Sequence, residues 1–165
     1  MALTAIAGPL SNLLLSFFSC LLFLISAKIY SEAARMLPAH GFALTLLYYL
    51  TVFLNLFHVL NLSLSIFNLL PITPLDGSRL LYLALPERAY HWFARNERYI
   101  YFAVLAWLIL GDRFFLLLMR IDTIASSRPL TLVASLFAPT VWISGATEAL
   151  SGVMIRFWTL IPFLT

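Results

Sequence analysis

Charge is what this sequence has least of: 10% of its 165 residues are Asp, Glu, Lys or Arg, where an ordinary soluble domain carries about a quarter. That scarcity excludes a surface built wholly for water. Lysine is nearly absent, since all but one of the ten basic residues are arginine. They gather at the ends of apolar runs rather than along a stripe, which argues against a nucleic-acid partner and for charges that set membrane topology. Cysteine occurs once, at Cys20. An intrachain disulfide is therefore excluded, and the reading is a thiol buried in an apolar segment. The opening MALTAIAGPLSN lacks the positive leader of a signal peptide. No internal repeat is visible.

What is present is hydrophobicity, at 62% of the residues and a mean hydropathy of +0.97. About 20 apolar residues cross a bilayer core. Pro9 to Ala27 meets that length without a charge and closes at Lys28, and a polar connection from Lys28 to Gly41 follows. Phe42 to Leu70 is a second, longer run, stopped at Pro71 and Pro74 because proline removes a backbone donor and clashes with the preceding turn. Arg79 to Arg98 mixes arginines with Tyr82, Tyr90, Trp92 and Phe93, the pattern of an interfacial segment. Tyr99 to Met119 is a third candidate span. Its Asp112 and Arg113 are expected near an interface, paired, or at a break, because such charges cost about 2.5–3.5 kcal/mol each at a helix centre. Leu130 to Thr147 is a fourth, bent at Pro139, and Glu148 is expected to mark a helix end. The fold class expected is all-α: a polytopic membrane helix bundle of three to four spans, one ending in a proline-broken turn that bears an Asp-Gly pair. The connection after the second span carries four arginines against two basic residues after the first. The positive-inside tendency therefore puts the Asp76 loop on the cytoplasmic side.

Two constellations carry possible chemistry. Asn55, His58, Asn61, Ser65 and Asn68 recur at steps of three or four and share one helix face. Such a stripe either hydrogen-bonds neighbouring helices or lines an approach to a reactive site; the first is the commoner outcome. The second constellation is Pro71-Ile-Thr-Pro74-Leu-Asp76-Gly77. An unwound turn at membrane depth survives only where protein or a water-filled cavity covers it. Asp76 there is either a cation ligand or the N-cap of a helix starting at Gly77 or Ser78.

The string N-L-L-P-x-x-P-L-D-G, Asn68 to Gly77, resembles the signature of the site-2 proteases, the intramembrane zinc metalloproteases of peptidase family M50. The segment Ala7-Gly8-Pro9-Leu10-Ser11-Asn12 is similar to the A-G-P-x-x-N motif that precedes it there, and Asn61 matches a frequent family position. The likeness is to the compact prokaryotic type and covers residues 2–101. A single membrane domain over 1–165 is expected, with 1–101 as its site-2-protease-like core and 102–165 as further membrane helices.

The resemblance implies zinc held by Asp76 and by two histidines of a His-Glu-x-x-His motif, whose glutamate activates zinc-bound water. It implies that Asn68, Asn61, Pro71, Pro74 and Gly77 line the site. It also implies membrane lipid and the transmembrane helix of a protein substrate as partners, in a prokaryotic plasma membrane, with no nucleic acid. The motif His-Glu-x-x-His is absent from these 165 residues. His40, His58 and His91 do not replace it; His58 precedes Asp76 by roughly 27 Å of straight helix. Gly8, Pro9 and Asn12 are expected to serve close helix packing. The leading expectation is the aspartate-bearing C-terminal part of a longer metalloprotease, inactive as it stands and retaining no zinc alone. The alternatives are a non-catalytic pseudoprotease that binds membrane helices or a partner subunit, and a broken-helix ion or solute pathway, which ranks last for want of a second broken helix.

Overall fold

A computed structural model describes residues 2–38, 41–73, 75–120, 127–136 and 138–162. The described residues form six α-helices and no strand: α1 Ala2–Met36, α2 Phe42–Leu69, α3 Asp76–Ala84, α4 Glu87–Leu118, α5 Arg128–Ser135 and α6 Pro139–Trp158. Three of them, α1, α2 and α4, are long and apolar enough to cross a membrane, and α5 with α6 makes a fourth if that bent pair is one span. The protein is an all-α, polytopic membrane protein.

Helix boundaries differ from the sequence expectation in several places. Helix α1 does not stop at Lys28 but runs to Met36. The segment SEAARM is made of fair-to-good helix formers, and an exposed Arg35–Glu32 pair at 3.2 Å supports the last turns. Helix α4 runs unbroken through Asp112 and Arg113. Asp112 is paired, one of the outcomes expected of it: its Oδ1 accepts from the Thr140 hydroxyl at 2.7 Å and from the Thr140 backbone N–H at 3.3 Å. That N–H is one of the donors a helix start leaves orphaned, so a carboxylate on α4 caps α6. The bend expected at Pro139 is a break before α6, with the proline at its first position, where its missing N–H is harmless. Glu148 lies inside α6, exposed, and ends nothing.

The chain divides into two compact units, Pro9–Ser65 with Thr147–Thr165, and Met1–Gly8 with Ile66–Ala146. The first has few large buried apolar side chains and is held by small polar ones. Ser16, Ser19, Ser26, His58, Asn61, Ser65 and Thr147 are all buried, beside Cys20, Leu44, Leu62 and Met154. Large apolar residues such as Phe18, Phe53 and Leu60 face outward. Lipid is as apolar as leucine, so helices there associate through close packing and hydrogen bonds rather than by hiding hydrocarbon. In the second unit α4 packs on α5, and Ala134, Ala138, Pro139 and Gly111 are buried.

Candidate functional site

The polar stripe of α2 divides between neighbours and itself. His58 is buried with both ring nitrogens engaged. Its Nδ1 lies 2.9 Å from the Ser16 carbonyl and 2.8 Å from the Ser16 hydroxyl, and its Nε2 lies 2.8 Å from the Ser151 hydroxyl. A carbonyl only accepts, so Nδ1 carries a proton, and Nε2 shares its hydrogen bond with the Ser151 hydroxyl. The Ser16 hydroxyl donates in turn to the His58 carbonyl at 3.0 Å. Asn61 donates to the Phe57 carbonyl at 2.8 Å, and Ser65 to the Pro9 carbonyl at 2.8 Å. These residues tie α1, α2 and α6 within one unit. Asn55, at the start of the stripe, is exposed.

The proline-broken turn lies in the other unit and is built differently. After α2 ends at Leu69, the Leu70 N–H still reaches the Phe67 carbonyl at 3.1 Å. Pro71 has no N–H to offer, and the chain folds through tight bonds, Ile72 to Leu70 at 2.8 Å and Leu75 to Ile72 at 2.8 Å. Pro74 lies outside the described residues. Helix α3 then begins at Asp76 itself, with the extended Leu75 (φ −72°, ψ 154°) before it. The N-cap reading places the helix start one or two residues too late: Asp76 is the first helical residue, and the Ser78 hydroxyl and N–H, at 2.7 and 3.0 Å, both go to the Leu75 carbonyl. An acidic side chain in the first turn suits the positive end of the helix dipole.

Two glycines fix where this carboxylate sits. A Cβ on buried Gly77 would overlap the carbonyl oxygens of Leu69 and Leu70, so only glycine lets α3 start against the end of α2. A Cβ on Gly8 would lie 3.0 Å from Asp76 Oδ2. Gly8 is therefore more than a packing residue, because its missing side chain leaves room for the Asp76 carboxylate. Sequence pattern gave no hint of that contact across 68 positions. Among the described residues Asp76 has no hydrogen-bond or ion-pair partner. Asn68, half-buried in the last turn of α2, has no side-chain partner there either.

As a metal site the donor set is incomplete. Among the described residues no three His, Cys, Asp or Glu side chains come together. His58 is bonded elsewhere, exposed His91 meets Tyr90 edge-on with ring centres 5.5 Å apart, and His40 lies outside the described residues. One carboxylate does not make a tetrahedral zinc site, so no hydrolytic step follows from these residues alone.

Thr73 and Tyr82 stand near the turn. Both hydroxyls are buried, and among the described residues neither meets a partner at full hydrogen-bonding geometry, though the two lie close enough to influence each other. Burial pushes the Tyr82 phenol up from its ordinary value, and neighbouring Glu97 adds to that, while the Thr73 hydroxyl pulls the other way. The alternation of aromatics and arginines in 79–98 was the sequence signal for this neighbourhood, though not for these hydroxyls.

No solved structure matches the chain. The chain is 36% identical over 112 residues to a Bacillus subtilis (strain 168) protein named "Putative zinc metalloprotease YwhC", a match covering 67% of this chain and 47% of that protein. It thus spans about half the length of the curated relative. The family model described as Peptidase family M50 matches residues 1–111, a stretch that holds Gly8, Asn68, Asp76 and Gly77 together. The chain belongs to peptidase family M50.

Proposed function

We propose that this chain supplies the carboxylate ligand of a site-2-protease-like zinc centre that hydrolyses peptide bonds inside the membrane. The single observation that supports it most is Asp76: a carboxylate at a broken helix, unpartnered among the described residues, with space kept clear by Gly8. A carboxylate without a partner at membrane depth costs free energy unless something meets it, and a metal ion is such a partner. The two histidine ligands and the general-base glutamate would come from residues outside these 165, in the same chain or another. Asn68, Pro71, Pro74, Gly77 and Asn61 are the proposed lining, and the unwound transmembrane helix of a protein substrate is the proposed partner. The arginine count supports a cytoplasmic-side position for the Asp76 turn in a prokaryotic plasma membrane.

The stripe of α2 lends less to the pseudoprotease reading. His58, Asn61 and Ser65 already spend their hydrogen bonds inside one unit, which leaves little for a visiting helix.

The test is cleavage of a membrane-embedded reporter helix by the chain supplied with a His-Glu-x-x-His helix, fused or co-expressed. Asp76→Ala is expected to abolish cleavage while membrane insertion, followed by protease protection, stays normal. Full cleavage by that variant would remove Asp76 from the site. The 165-residue chain by itself is expected to purify without stoichiometric zinc.

A further inference from the structure

A cavity of about 400 Å³ is lined by Thr73, Ala94, Arg95, Glu97, Arg98 and Tyr101. All six belong to the unit that holds the broken turn. At 100° per residue, Ala94, Arg98 and Tyr101 fall within about 60° on α4, and the small Ala94 leaves the floor open. Arg95 stands on one flank and Glu97 on the opposite one, so the cavity presents both signs of charge. Neither Arg95 nor Arg98 has an ion-pair or hydrogen-bond partner among the described residues. Thr73, 5% exposed, lines the cavity from the turn.

The depth of the cavity narrows the ligand. Glu87, Arg88, Arg95, Glu97 and Arg98 precede a charge-free stretch, Tyr99 to Gly111, so the lining residues of α4 straddle the change from charged to apolar helix. Trp92 and Tyr99 stand exposed on either side, as aromatics do at the level of lipid headgroups. A free anion would find two arginines but also Glu97; a free cation would find Glu97 but also two arginines.

We propose that this cavity binds a phospholipid headgroup that carries both a phosphate and a primary ammonium. Arg95 and Arg98 take the phosphate, because guanidinium donors match its oxygens in charge-assisted bonds. Glu97 accepts from the ammonium. Because Thr73 belongs to the same turn as Asp76, an occupied cavity braces that turn. The proposal does not depend on what Asp76 binds.

Native mass spectrometry of the purified chain in detergent tests it, with equimolar dioleoyl-phosphatidylethanolamine and dioleoyl-phosphatidylcholine, which differ only by methylation of the amine. The ethanolamine lipid is expected to be retained about tenfold better. Glu97→Gln should erase that preference while both lipids still bind. Arg95→Gln with Arg98→Gln should lower retention of both by about tenfold, with helicity by circular dichroism unchanged. Equal retention of the two lipids by the unaltered chain would overturn the proposal, as would indifference to the arginine pair. Arg98-dependent binding of free O-phosphoethanolamine with no lipid retained would contradict a lipid source. Retention of dioleoyl-phosphatidylglycerol above both, unaffected by Glu97→Gln, would overturn the role given to the ammonium.

Discussion

His58 on α2 and Asp76 just beyond its end are both ionisable, and their surroundings are opposite. His58 is buried with donors and acceptors matched on α1, α2 and α6. Asp76 has room reserved for it by a glycine and no partner among the described residues. Polar groups inside a membrane protein are costly in either case. Where the protein itself satisfies them they hold helices together, and where it leaves them open they wait for something else. The same division separates Ser65, bonded to Pro9, from Thr73 and Tyr82, whose buried hydroxyls meet no partner at full hydrogen-bonding geometry among the described residues.

Substitutions can break or sharpen this contrast, starting with the turn. Gly77→Ala forces a methyl group into the Leu69 and Leu70 carbonyls, which are backbone and cannot swing aside. A loss of about 3 kcal/mol or more is expected, seen as a large fall in the melting temperature in detergent. His58→Ala comes next, at about 2 kcal/mol, since it strands the Ser151 hydroxyl and opens a cavity. His58→Gln should recover part of that. An unchanged melt for both would mean the histidine network holds nothing together.

Gly8→Ala is the sharper probe of the open region. The atom it crowds is the end of a side chain that can turn away, so stability should fall by less than about 1 kcal/mol. The carboxylate should nevertheless be displaced, lowering cleavage by the histidine-supplemented protein about tenfold or more. A large loss of stability with normal cleavage would return Gly8 to simple helix packing. Smallest is Glu32→Gln: it removes an exposed ion pair and should shift stability by no more than about 0.5 kcal/mol.

The spans were legible because lipid demands long apolar runs, and the broken turn was legible because prolines and an Asp-Gly pair stand out against them. Helix ends were less so. The helix after Lys28 continues on local propensity and an i,i+3 pair, outside the hydrophobic signal that defined the span. Asp112 looked like a possible break because its partner, Thr140, lies 28 residues away. The split between α3 and α4 falls at Pro86, which restricts the residue before it, yet the aromatic and basic pattern of 79–98 reads as one segment. Gly8 beside Asp76 is a tertiary contact between two motifs that sequence alone could only place in order.

The most direct measurement is zinc X-ray absorption on the chain supplied with a His-Glu-x-x-His helix, comparing the unaltered protein with Asp76→Cys. If Asp76 is a ligand, the cysteine variant replaces one oxygen near 2.0–2.2 Å with a sulfur shell at about 2.3 Å. A zinc spectrum with no sulfur, identical to that of the unaltered protein, would contradict the assignment.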